Sequence, residues 1–292
     1  MNTINYWGEE MEIWYQFLSW FPFEWAEPGR MLFFKNALLA MMIMAPLFGL
    51  LSTMIVNNKM AFFSESLGHG AFTGIVIGNL AGLFDPLLSA VLFAVVFSVL
   101  VSVVRVYARM SPDTVIGVFS SLSVALGIFL ATLGGGNFNR LNSLLIGDLM
   151  SIRPWEIGLL FVVLLLVFGY FVQGFNRMLI LSVNSAIARS RGIHPLRTEM
   201  LFAAVVAVVV TLSINWVGML LINSMLILPA AIARNLSSNV ARYTWISVLV
   251  SLVCGIGGML GSYYVGNAAA AFIVLLLGIV FALSFLLANR MD

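Results

Sequence analysis

Seven long intervals of this chain contain no Lys, Arg, Asp or Glu: 36–58, 66–84, 86–104, 114–139, 157–176, 200–233 and 243–289. A helix needs about 20 mostly apolar residues to cross a hydrocarbon core. Five intervals have room for one span each. The interval 243–289 has room for two, and Tyr263, Tyr264, Gly266 and Asn267 suit the break between them. The tyrosines then sit at interface depth. The interval 200–233 is tight for two, with a break expected at Asn215–Trp216. The fold class is therefore all-α: a polytopic transmembrane helical bundle of about nine spans, with eight as the alternative.

Composition agrees. Only 9% of the 292 residues are charged and 62% are hydrophobic, with a mean hydropathy of +1.06. A soluble domain carries about 25% charged residues. Disorder, a coiled coil, a fibre and a disulfide scaffold are excluded by the same values. The net charge of +2, without basic patches interleaved with aromatics, argues against nucleic acid. One cysteine, Cys254, cannot form an intrachain disulfide and reads as packing.

Basic residues set the expected orientation. With nine spans and the N-terminus outside, Lys59, Arg105, Arg109, Arg177, Arg189, Arg191, Arg197, Arg234, Arg242 and Arg290 lie inside, and Arg30, Lys35, Arg140 and Arg153 outside. This is the bias of multi-pass membrane proteins. Residues 1–31 carry five glutamates and no early basic cluster, so no cleavable signal peptide is apparent. The aromatic run Trp14–Phe21 reads as an external amphipathic helix lying in the interface, within a segment 1–31 ahead of a transmembrane domain over 32–292.

Glu65 and His69 are the sharpest chemical feature. Four residues apart, they share one helix face near the start of the second span. Ionisable groups at that depth are costly unless paired or facing a cavity. A carboxylate and an imidazole are a partial ligand set for a divalent transition metal such as Zn, Mn or Fe. Two ligands are too few for a tight structural site, which suits a path that must release its ion. A structural pair and a proton relay remain alternatives. Gly70, Gly74, Gly78 and Gly82 form a small-residue stripe, offset by one position, that would let another helix approach. Asn223 needs a partner within an apolar helix, and Asn142 and Asp148 on the outer side could gather cations. His194 reads as a surface residue beside Pro195.

The longest polar interruption is about 177–199. Gly174 and Asn176 are expected to end the preceding helix. A short helix is then expected over 183–192, capped at Ser182 or Asn184 and stopped at Gly192, with Pro195 barring continuation. It is either a docking element for a cytoplasmic partner or an ordinary surface loop. The chain has no GxxxxGK[S/T], HExxH or GxSxG motif, so it is expected neither to hydrolyse ATP alone nor to be an enzyme.

Several stretches in the right order resemble the membrane permease subunit of ATP-binding-cassette importers for zinc, manganese or iron, over about 34–288. The most specific runs from Asn58 to Gly74: a basic residue (Lys59), Met60-Ala61-Phe62, then an acid four before a histidine, then a small-residue helix. Gly117–Ser121 with Ala125-Leu126-Gly127, Ile146-Gly147-Asp148, and Val217–Leu221 running to Leu226–Arg234 are also similar. The resemblance implies a type II-like importer permease working as two copies or two paralogues. It implies two cytoplasmic ATP-binding subunits and an extracytoplasmic metal-binding protein as partners. The cargo would be Mn, Zn or Fe, with no permanently bound cofactor and ATP held only by the partner, in the inner membrane of a bacterial cell. Glu65 and His69 would lie on the ion path. Asn184, Ser185, Ala188, Arg189, Arg191 and Gly192 would belong to the segment that couples to the ATPase. Two departures stand out: the family usually has Asp where this chain has Glu65, and Ser-x-Asp where it has Ser182-Val183-Asn184. A proton- or sodium-coupled secondary transporter and a non-transporting scaffold are the rival classes.

Overall fold

The computed structural model describes residues 12–20, 26–27, 31–82, 85–108, 110–133 and 147–288. Twelve α-helices follow in order: α1 Glu12–Leu18, α2 Leu32–Asn57, α3 Phe63–Ala81, α4 Pro86–Tyr107, α5 Pro112–Leu133, α6 Pro154–Val183, α7 Ser185–Ser190, α8 Pro195–Val217, α9 Met219–Met225, α10 Leu228–Leu236, α11 Val240–Val265 and α12 Ala269–Ala288. A 3-10 turn, Leu149–Ser151, precedes α6. Among the described residues, eight segments are long and apolar enough to cross a membrane: α2, α4, α5, α6, α8, the broken pair Met219–Leu236, α11 and α12. The 19-residue α3 is not among them, because it spends its length on Glu65, His69, glycines and serines. Packing gives α3 its place instead: it lies between α4 and α5, with α8 and α9 also against it.

Local sequence explains most boundaries. Pro86, Pro154 and Pro195 stand in the first turns of α4, α6 and α8, where the missing N–H is no loss. Glu156 Oε2 accepts from the Arg153 N–H at 2.7 Å and closes the start of α6. Gly266, at φ 74°, ends α11 beside the two tyrosines expected to mark that break. Ser247 Oγ donates to the Gly49 carbonyl (2.9 Å) and meets Ser52 Oγ (2.8 Å), so α2 and α11 are clamped by hydroxyls. Gly49 is small for the same reason: a Cβ there would stand 2.7 Å from Val248 Cα.

Two expected boundaries are corrected. Gly174 and Asn176 do not end a helix, since α6 runs through both to Val183. An interior Gly costs a helix only about 1 kcal/mol, and the stop comes where Asn184 begins capping α7. The break expected at Asn215–Trp216 falls at Gly218, whose φ of 78° and ψ of 155° close α8. A second break at Leu226–Ile227 separates α9 from α10. Residues 134–146, in the connection from α5 to α6, lie outside the described residues.

The N-terminal helix α1 rests on the start of α2. Trp14 Nε1 donates to the Lys35 carbonyl at 3.2 Å, and the Tyr15 hydroxyl donates to Asn36 Oδ1 at 2.7 Å. Burial pushes the Tyr15 phenol above its ordinary value, and the Asn36 bond opposes that. The wholly buried Lys35 donates its ammonium to the carbonyls of Ala26 (3.1 Å) and Glu27 (2.8 Å).

Candidate functional site: one face of a buried helix

At about 100° per residue, α3 divides into distinct faces. Gly74 and Gly78 lie against α4. A Cβ on Gly74 would stand 2.7 Å from Ala90 Cα, and one on Gly78 2.6 Å from Ser89 Cβ. Ser89 Oγ donates to the Gly74 carbonyl at 2.8 Å across this contact. Gly70 meets Phe97 and Phe93 at ordinary van der Waals distances. Gly82 does not belong to this packing: nothing would meet its Cβ within 4 Å, and at φ 62° it is the left-handed cap of α3.

Glu65 and His69 project from the side turned away from α4. Glu65 is exposed and His69 half-buried in the isolated chain. Among the described residues no hydrogen bond or ion pair holds either side chain, and no group of three or more His, Cys, Asp or Glu could hold a metal ion. The described residues thus leave one carboxylate and one imidazole side by side on an open face.

That face has two walls. On one side, Thr73 Oγ1 donates to the Ser123 carbonyl of α5 at 2.7 Å, and Gly127 leaves room for Thr73 and Phe72. On the other, Met219 at the start of α9 fills the notch left by Gly68, where a Cβ would come within 2.7 Å of the Met219 Sδ. Gly218 sets Met219 there and is itself covered by Gly147: a Cβ on Gly147 would collide with the Gly218 N and the Val217 C. Both glycines have positive φ, 66° and 78°. Through these contacts the segment bearing the exposed Asp148 is tied to α3. Asn223 lies in α9, and its Oδ1 is buried without a hydrogen-bond partner among the described residues. Asn142 lies outside the described residues.

The 183–192 segment forms α7. Asn184 Oδ1 accepts from the N–H groups of Ala186 (2.7 Å) and Ile187 (3.4 Å), so the amide caps a helix as an acid would. Ser185, Arg189 and Arg191 are exposed, while Ala188 is buried against the bundle. Gly192, at φ 74°, closes α7: its N–H reaches the Arg189 carbonyl and the Ile193 N–H the Ala188 carbonyl, both at 3.0 Å. This is the paired 5→2 and 6→1 bonding of a Schellman turn. The exposed His194 then precedes α8.

A second Schellman turn ends α2. The Lys59 N–H reaches Val56 and the Met60 N–H reaches Ile55, at 3.2 and 2.9 Å. Here the left-handed position is Lys59, at φ 55°, rather than glycine. Side chains hold the turn: Asn58 Nδ2 donates to the Met54 carbonyl, and Arg105 Nη2 donates to the Asn58 carbonyl, each at 2.8 Å. Arg105 Nη1 lies 4.0 Å from Glu199 Oε2 on α8, with side chains 8% and 16% exposed. Sequence reasoning counted Arg105 as one more inner-loop charge and passed over Glu199. The available signal was a glutamate in the second turn of an apolar helix, which needs a cation nearby.

The chain was compared with known proteins. The model of the family described as "ABC 3 transport family" matches residues 30–288. The high-affinity zinc uptake system membrane protein ZnuB of Haemophilus influenzae is 24% identical over 255 residues, covering 87% of this chain and 97% of that protein. The manganese transport system membrane protein MntC of Listeria innocua is 23% identical over 258 residues, covering 88% and 91%. Among solved structures, PsaBC from Streptococcus pneumoniae in complex with Fab aligns with a TM-score of 0.73 at 21% identity, over 97% of this chain and 95% of that one. That likeness establishes the fold. With a family model spanning all of α2 to α12, the chain belongs to the ABC 3 transport family.

Proposed function

We propose that the chain is the membrane-spanning subunit of an ATP-driven importer that moves a divalent transition-metal ion, Zn, Mn or Fe, into the cytoplasm. The observation that carries this reading is the open Glu65–His69 face on a largely buried helix of a family member. Burying a carboxylate and an imidazole in a bilayer is costly. Leaving both without a partner inside the chain is reasonable where the ligand comes and goes. Relatives named for zinc and manganese transport support the class of cargo. Oxygen and nitrogen donors serve all three ions, so donor type alone does not choose among them.

Two copies facing across a two-fold axis would bring two such faces together and double the donor set, the usual closure for a self-complementary surface. The capped, arginine-bearing α7 is the docking element for cytoplasmic ATPase subunits, with Arg189 and Arg191 outward. An external metal-binding protein delivers the ion. The inner membrane of a bacterial cell is the expected site, with α1 lying in the outer interface. In alternating access, nucleotide binding in the partner moves α7, and the bundle opens the Glu65–His69 face to one side and then the other.

Uptake of Zn, Mn and Fe into cells carrying this chain with its ATPase and binding protein tests the reading. Uptake of one ion, abolished both by His69→Ala and by an ATPase-dead partner at matched membrane expression, is the expected result. Uptake that ignores the ATPase would point to secondary transport. A well-inserted chain that moves no ion would make Glu65 and His69 a structural pair.

A further inference from the structure

The Arg105–Glu199 junction joins the pieces that transport would have to move together, and the ion-path reading does not use it. Arg105 sits in the last turn of α4. One of its nitrogens grips the Asn58 carbonyl in the turn that launches α3, and another faces Glu199 in the second turn of α8. That end of α8 is fixed to α7 through the turn at Gly192 and by Pro195 at the first helical position. A path of defined contacts therefore runs from α7 through α8, Glu199, Arg105 and Asn58 to the base of the helix carrying Glu65 and His69. The junction is not optimised for static stability. At 4.0 Å the ion pair is loose, and Arg105 Nη1 and Glu199 Oε2 are buried with no hydrogen-bond partner among the described residues. A largely buried pair of that geometry recovers little of its desolvation cost. Lys59 adds a left-handed backbone on a residue with a Cβ.

We infer that Arg105 and Glu199 are positioning residues that transmit displacement of α7 to the α2–α3 turn, and so set when the Glu65–His69 face opens. The inference rests on the permease reading, with α7 as the ATPase contact. Guanidinium is suited to this: its planar fork holds a backbone carbonyl and a carboxylate at once, which a lysine ammonium does with less geometric constraint.

The test uses the full complex with its ATPase partner in proteoliposomes. Spin labels are attached in pairs to cysteines introduced at the exposed Phe62, Ser190 and Trp245, with Cys254 replaced by alanine. In the wild type, adding ATP shifts both the Phe62–Trp245 and the Ser190–Trp245 distances. In Arg105→Gln and Glu199→Gln the Ser190 shift survives and the Phe62 shift is lost. Metal moved per ATP hydrolysed falls about tenfold, while hydrolysis stays within about twofold. Arg105→Lys restores part of the coupling, because an ammonium can still donate to the Asn58 carbonyl, whereas the reversed pair Arg105→Glu with Glu199→Arg does not, because a carboxylate at 105 has no proton to give it. If the Phe62 distance still follows Ser190 in both glutamine variants, the linkage is wrong and the permease reading stands. Equal falls in hydrolysis and uptake would make the junction merely structural. If ATP moves neither label in the wild type, the permease reading falls and takes the linkage with it.

Discussion

Helices α3 and α12 invert the usual relation between hydropathy and burial. The 20 residues of α12 carry no charge and include four leucine-bearing turns, yet only Ala270, Ile273, Leu277 and Ser284 are buried. The 19 residues of α3 carry an acid, an imidazole and four glycines, and most of the helix is buried. In a bilayer the apolar helix is the one that can face lipid, and the polar one needs protein around it. Hydropathy alone does not place a helix, since α2 and α8 are strongly apolar and yet largely buried, but a helix rich in small and polar residues such as α3 belongs inside.

Substitutions of matched size break this comparison most forcefully. Gly74→Leu would drive a side chain into the Ala90 backbone of α4, whereas Gly278→Leu in α12 meets open space. The first should cost at least about 3 kcal/mol and the second under about 0.5. Thermal unfolding in detergent with size-exclusion profiles measures both, and equal losses would refute the central placement of α3. His69→Ala should reduce metal uptake at least about tenfold with stability nearly unchanged, because no hydrogen bond or ion pair holds its side chain among the described residues. Transport assays on protein of matched melting temperature check this. Glu65→Asp shortens the carboxylate arm by one methylene and should change the ratio of Zn to Mn uptake more than total uptake.

Smaller effects sharpen the contrast. Thr73→Val removes the hydroxyl bonded to Ser123 and should cost about 1 kcal/mol, whereas Thr211→Val removes a buried hydroxyl without a partner and should be neutral or stabilising. Lys59→Gly should stabilise the chain by about 0.5–1 kcal/mol by relieving its left-handed backbone. A loss there would mean that the lysine side chain has a role of its own.

Legibility followed the same division. The lipid-facing spans were open to inspection as charge-free intervals, and Glu65 and His69 drew attention because ionisable residues are rare in such a chain. Asn184 and Gly192 were readable because capping is local. The Arg105–Glu199 junction was not, since nothing local pairs residues on helices that meet only in the folded bundle. The stop expected at Gly174–Asn176 failed because a weak local preference was weighed against no knowledge of how far α6 projects. Gly82 matched the glycine stripe in spacing, yet its φ assigns it to a cap. Met219 could not be paired with Gly68 before the break at Gly218 was known.

Lys35 holds the preceding segment through the carbonyls of Ala26 and Glu27. Every residue type supplies that acceptor in the same place. The acceptors at 26 and 27 belong to the backbone, and what this anchor needs is the spacing between them and Lys35, with Ala26 itself wholly buried. A single deletion there would dislodge a buried ammonium that many replacements would leave content.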